Sequence, residues 1–177
     1  MAEPLSFDRS KIALLIMDYQ NRQLGYFTAD VQNELIANAN RVLLKAREQG
    51  IPVIYVEVRR GERTPETEIH PAVIPQPGEV ILTKRRVGPF STTNLDEVLR
   101  KQRIETLILM GIATSGCVLS TVRWAADIDY GLIVLSDCCA DRDDDVHRVL
   151  MEKVFPRQAN VVGSQEFLRA LGDTDSL

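Results

Sequence analysis

Residues 106–135 read TLILMGIATSGCVLSTVRWAADIDYGLIVL. Residues 106–110 form an apolar run of strand length, and a turn rich in Gly, Ser and Thr follows. Residues 117–129 are expected to be helical, and residues 132–135 form a second apolar run. Strand, turn, helix, strand in that order is the signature of parallel strands joined by a covering helix.

The same alternation continues in both directions. Residues 12–17, IALLIM, read as a buried strand ending at Asp18. Thr28 or Asp30 can cap a helix whose apolar positions Leu35, Ile36, Ala39, Val42, Leu43 and Ala46 follow helical spacing until Gly50 and Pro52 stop it. Residues 51–58 are a second strand. Residues 59–78 form a long polar loop holding four of the chain's eight prolines, and loops of that length are often functional. Residues 79–82 are a short third strand that delivers Thr83 and Lys84. A helix over 94–102 follows, with Leu95, Val98 and Leu99 on one face and Thr93 as its cap. Beyond 135 come a helix over 143–153, a strand over 160–162 and a last helix from Ser164. The fold class expected is α/β: a three-layer, doubly wound sheet of about six parallel strands with helices on both faces. Such sheets bind ligands at the carboxyl ends of their strands.

A chain of 177 residues can bury a full hydrophobic core, and one domain over 1–177 is expected. Its 45% apolar and 26% charged residues are those of a soluble globular protein. The net charge of -4 gives no electrostatic reason to expect nucleic acid or an acidic membrane as partner. No apolar run is long enough to span a bilayer, and MAEPLSFDRSK lacks the apolar centre of a signal peptide, so the cytoplasm is expected. Three cysteines at irregular spacing, two of them adjacent, do not make a disulfide framework and agree with a reducing compartment.

Three residues at strand ends form a chemically coherent set: Asp18, Lys84 and Cys117. A helix N-terminus places partial positive charge beside Cys117, and a nearby lysine would favour its thiolate further. A carboxylate in reach can take the thiol proton and hand it to a leaving amine. Backbone N–H groups of the turn, including those of Ala113 and Cys117, could hold an oxyanion. Each residue also has an ordinary reading: Asp18 as a turn former, Lys84 as part of a solvated Lys84-Arg85-Arg86 surface, Cys117 as a small core residue. Their joint position at one sheet edge favours the chemical reading.

The chain resembles the isochorismatase-like cysteine hydrolase superfamily, which includes nicotinamidases, N-carbamoylsarcosine amidases and ureidoacrylate amidohydrolases. The resemblance covers roughly residues 10–168. It rests on IALLIMDYQN at 12–21, KRRVGPFSTTNL at 84–95 and GIATSGCVLSTVRWAADIDYG at 111–131, with weaker support from VLSDCCADRDDDVHRVLM at 134–151. It implies an Asp18, Lys84, Cys117 triad, a cis Ile112–Ala113 peptide, and an oxyanion hole of the Ala113 and Cys117 N–H groups. It also implies assembly as a homodimer or homotetramer. Phe90 falls where the resemblance places an apolar wall of the substrate pocket. Tyr19, Gln20 and Trp124 are further substrate-binding candidates, with Trp124 equally readable as core between helix and sheet. Vinyl-ether-cleaving isochorismatases lack the cysteine, so Cys117 argues against that activity. Nicotinamidases carry a D-x-H metal site between the second strand and the lysine; here that region has one histidine, His70, and no such pair. No metal and no cofactor are therefore expected.

The expected function is metal-independent hydrolysis of an amide-like C–N bond in a small molecule, through a thioester on Cys117. Rival readings are a non-hydrolytic small-molecule binder and a redox-sensing thiol protein. Cys138-Cys139, read as following its strand, lacks C-x-x-C spacing and is expected to be ordinary buried cysteine. Asp141, Asp143, Asp144 and Asp145 fit a charged first helical turn better than a magnesium site. A Cys117–His147 dyad ranks below the Asp18 and Lys84 pairing.

Overall fold

The computed structural model describes residues 5–172. Both ends of the expected 1–177 domain, with the first four residues of the N-terminal segment, lie outside the described residues. Six strands form one parallel sheet in the order β3-β2-β1-β4-β5-β6. They are β1 (Ile12–Met17), β2 (Val53–Val58), β3 (Val80–Lys84), β4 (Thr106–Ile112), β5 (Gly131–Ala140) and β6 (Asn160–Val162). Six α-helices accompany them: α1 (Asn21–Leu24), α2 (Ala29–Glu48), α3 (Leu95–Lys101), α4 (Leu119–Asp127), α5 (Asp144–Val149) and α6 (Ser164–Ala170).

The reason β1 is apolar at every position lies in its two buried faces. Ile12, Leu14 and Ile16 enter one core cluster with Leu35, Ala39, Val42 and Leu43 of α2 and Phe167 of α6. Ala13, Leu15 and Met17 enter the opposite cluster with Leu95 and Leu99 of α3 and Val122 and Ala125 of α4. Side chains alternate with a period of two, so every position of β1 faces an apolar layer and its first polar residue comes where the strand ends. It ends at Asp18. The winding of the sheet reverses between β1 and β4, so the crevice at their carboxyl ends is the switch point where ligands bind in such folds.

Several boundaries differ from the sequence reading. The strand expected at 132–135 runs on to Ala140, so Cys138 and Cys139 lie inside β5 rather than after it. Polar Ser136 and Asp137 suggested a strand end. The register shifts between Leu109 and Gly111 against β5, and Gly111 then pairs with Cys139. The helix expected from residue 117 begins at Leu119; Thr114–Val118 form a π-helical turn broken at Gly116. The helix expected over 143–153 is α5 followed by a second π-helical turn, Leu150–Val154. The long loop contains two short 3-10 turns, Pro65–Thr67 and Pro71–Val73. It is tied down by His70 N–H donating to the Tyr19 carbonyl at 2.9 Å. Thr28 stands at the N-cap of α2 without a side-chain cap bond; the N-cap of α3 is Asn94 rather than Thr93, whose Oγ1, one residue earlier, accepts from Leu95 N–H at 3.2 Å. Among the described residues no helix is long and apolar enough to cross a membrane.

Candidate active site

β1 stops where Asp18 takes a left-handed conformation, φ 58°, which few non-glycine residues adopt and aspartate tolerates better than most. Its carboxylate receives Lys84 Nζ from the end of β3 at 2.7 Å on Oδ2, and both side chains are buried. Lys84 Nζ also donates to the Arg86 carbonyl at 3.3 Å. The second carboxylate oxygen, Asp18 Oδ1, is buried and has no partner. An unpartnered buried acceptor is costly, and this one is left available to take a proton.

Cys117 supplies the third group. It is 2% exposed and packs into the core cluster that holds Met17. Its Sγ lies 3.7 Å from the Ala113 carbonyl, a long contact for a weak S–H donor. The turn that carries it is pinned from three sides. Ser115 N–H donates to Asp141 Oδ2 at 2.7 Å, Thr114 Oγ1 lies 2.7 Å from His147 Nδ1, and Thr121 Oγ1 donates to the Cys117 carbonyl at 2.7 Å. The Ile112–Ala113 peptide at its start is cis. Gly111 is what lets β4 approach: a Cβ there would meet the Met17 carbonyl at 3.1 Å and Cys117 Sγ at 3.2 Å. Gly88 plays the same part on the other side, since its Cβ would fall 2.4 Å from Ser120 Oγ.

Burial dominates the electrostatics. It raises Asp18 to about 6, against the pull of the Lys84 ammonium and the Cys117 thiol. Burial, and then the Asp18 carboxylate, push the Cys117 thiol well above its ordinary value, and Lys84 only partly opposes this. The expectation that the helix N-terminus and Lys84 lower the thiol pKa is therefore corrected. Cys117 lies in the turn ahead of α4, and desolvation outweighs the lysine. The resting pair is a neutral thiol beside a carboxylate that is ionised at neutral pH, an acid and base poised for transfer rather than an ion pair already made.

Of the candidate pocket residues, Tyr19 and Gln20 are engaged by the scaffold. Tyr19 is buried and its hydroxyl donates to the Cys138 carbonyl at 2.7 Å. Gln20 holds the β2 end and the long loop together: Nε2 donates to the Val58 and Thr67 carbonyls at 3.1 and 2.5 Å, and Oε1 accepts from Val58 N–H at 2.8 Å. Both side chains are committed to the scaffold. Phe90 stacks on Trp124 at 6.3 Å between centroids and lies 6.4 Å from Tyr130. Trp124 is 47% exposed, so it is not core; it lines an open cavity together with Ser115 and Gly116 of the turn that carries Cys117. His147 meets Thr114, not the thiol, and burial lowers its pKa. Asp143 caps α5 through Asp145 N–H at 3.0 Å and Val146 N–H at 3.2 Å. His70 Nδ1 accepts from Ala72 N–H at 3.2 Å. Among the described residues no three His, Cys, Asp or Glu side chains are grouped to hold a metal. Asp141, expected in the first turn of the helix, lies ahead of the Asp143 cap and holds Ser115 instead; sequence reasoning missed that role, the positioning contact of His147 and Gly111.

The isochorismatase domain family matches residues 12–166. This chain belongs to the isochorismatase family of hydrolases. It is 30% identical over 178 residues to the ureidoacrylate amidohydrolase RutB of Pseudomonas syringae pv. syringae, covering 76% of this chain and 73% of that one. Among solved structures, an isochorismatase-family hydrolase from Chromobacterium violaceum superposes with a TM-score of 0.86 at 26% identity, covering 98% of this chain and all of the other. N-carbamoylsarcosine amidase from Thermoplasma acidophilum gives 0.77 at 27% identity, covering 87% and 96%.

Proposed function

We propose that the chain hydrolyses an amide-like C–N bond of a small molecule through a thioester on Cys117, with Asp18 and Lys84 completing the triad and no metal or cofactor taking part. The single observation that carries this reading is the buried Lys84–Asp18 pair at 2.7 Å with its free oxygen, set beside a buried thiol at the switch point of the sheet. Relatives that act on ureidoacrylate and N-carbamoylsarcosine support a ureido or carbamoyl substrate.

Asp18 takes the thiol proton as Sγ attacks the carbonyl carbon, and the oxyanion rests on the Ala113 and Cys117 N–H groups. The C–N bond breaks as Asp18 returns the proton to the leaving nitrogen, giving ammonia or an amine. Water then attacks the thioester, losing a proton to Asp18, and the released sulfur regains that proton. The Lys84 ammonium, 2.7 Å from Asp18 Oδ2, stabilises Asp18 whenever it is ionised. A redox-sensing role is disfavoured because such thiols are exposed and acidic, whereas Cys117 is buried and its pKa is raised.

Ammonia release from a panel of small amides, ureas and carbamoyl compounds tests this. The wild type should turn over a subset of the panel, and Cys117→Ala should lose at least about 10³-fold in rate on it. Turnover retained in that variant would sink the thioester route.

A further inference from the structure

On the outer edge of the sheet, at the same carboxyl end as the triad, four arginines line a single cavity of about 660 Å³. They are Arg59 and Arg60 after β2 and Arg85 and Arg86 after β3, with Thr83 and Thr92 between them, and no carboxylate lines the wall. This is a chain of net charge -4, so the clustering runs against its overall balance. Gathering like charges in one concavity is repulsive unless something opposes it.

Inside the protein little does. Glu57, 1% exposed, lies beneath the pocket and serves Arg59 Nε at 3.4 Å, Arg63 Nη2 at 3.2 Å and Thr83 Oγ1 at 2.8 Å. Its hydrogen bonds come from Thr83 and Arg63, and it pairs with Arg59 by charge alone. Arg60, Arg85 and Arg86 make no ion pair among the described residues. The backbone nevertheless draws them together. Arg60 Nε donates to the Arg85 carbonyl at 3.3 Å, Arg59 N–H to the Lys84 carbonyl at 3.2 Å, and Arg85 N–H to Thr92 Oγ1 at 3.2 Å. Two loops are thus stitched into one cationic concavity whose outer guanidinium groups have no carboxylate of their own.

We infer that this cavity is a binding site for a small oxyanion, a carboxylate or phosphate group gripped by the Arg60, Arg85 and Arg86 guanidinium groups. Guanidinium forks match the paired oxygens of either group, and such charge-assisted bonds are the strong ones. The site adjoins the triad through the Arg86 carbonyl, which accepts from Lys84 Nζ. The oxyanion is either the acidic tail of the substrate or a separate ligand, and the two sources share this chemistry. Binding is a property of the arginines and does not require that the amide-hydrolysis reading hold.

The test is a chemical-shift titration of the full chain with inorganic phosphate and with succinate at constant ionic strength, on the wild type and on the Arg85→Gln/Arg86→Gln double variant. Both substitutions are at exposed positions and leave the backbone bonds of these residues in place. Saturable shifts at Arg60, Gly61 and Thr92 are expected at millimolar anion, weakened about tenfold for each guanidinium removed. Absence of saturable shifts, or equal affinity in the double variant, would overturn the site. Kinetics with a neutral amide and its carboxylate-bearing counterpart then separate the sources. A KM advantage for the acidic amide that disappears in the double variant identifies the substrate's own tail. Phosphate binding without such an advantage identifies a separate ligand. Because the titration needs no turnover, it can be repeated in Cys117→Ala, so a failed amidase reading and a failed anion site are told apart.

Discussion

Cys117 and Cys138 are both buried, both neutral, and both have a carboxylate close by. Burial raises each thiol well above its ordinary value, and an aspartate raises each further. The difference lies in what the carboxylate is doing. Asp137, whose Oδ1 is 3.8 Å from Cys138 Sγ, is consumed at the start of α6, accepting Ser164 N–H on Oδ1 at 2.7 Å and Ser164 Oγ on Oδ2 at 2.6 Å. Asp18 holds Lys84 with one oxygen and keeps the other unpartnered. Under the proposed mechanism this difference is what sets Cys117 apart: its neighbouring carboxylate is still able to accept the thiol proton, and a low resting thiol pKa is not required.

Substitutions can break that contrast at graded cost. The largest effect is expected at the sulfur itself: Cys117→Ala should abolish ammonia release, while Cys138→Ala should leave kcat/KM unchanged. Asp18→Asn should follow, losing about 10²–10⁴-fold in kcat for want of a base. It also strands the buried Lys84 charge, at a cost on the order of 3–5 kcal/mol in denaturant unfolding. A smaller and more specific effect concerns pH. The base must be ionised, so with Asp18 raised to about 6 the rate should fall below that pH and level off above it. Removing the ammonium that pulls Asp18 down, as in Lys84→Met, should move this acid limb to higher pH in whatever activity remains. Gly111→Ala would press a methyl group on the Met17 carbonyl and Cys117 Sγ, lowering kcat and costing about 1–3 kcal/mol in stability. Smallest of all, Cys138→Ala should cost about 1–2 kcal/mol from lost packing, seen only in the unfolding midpoint.

Much of this could be read from residue order alone. The apolar run at 12–17 is the strand observed, because a strand buried on both faces leaves an unbroken signal. Asp18, Lys84 and Cys117 stood out because polar residues directly after such runs mark the ligand edge, and the structure brings Asp18 and Lys84 into contact there. Other features were not visible. β5 continues past Ser136 and Asp137 because Asp137 is satisfied by α6, a tertiary contact no local pattern encodes. Tyr19 and Gln20 looked available for substrate, yet their partners lie in β5, β2 and the long loop. The resting state of the thiol also escaped the sequence reading, since desolvation depends on how deeply the turn is buried and not on which residues neighbour it in the chain.

One measurement reaches the centre of the account: intact mass of the wild-type chain mixed with a turned-over substrate and quenched in acid within a single turnover. A mass gain equal to the acyl group, mapped by peptide digestion to Cys117 and absent in Cys117→Ala, is the predicted result. Product formation with no adduct, or an adduct on Cys138 or Cys139 instead, would contradict it.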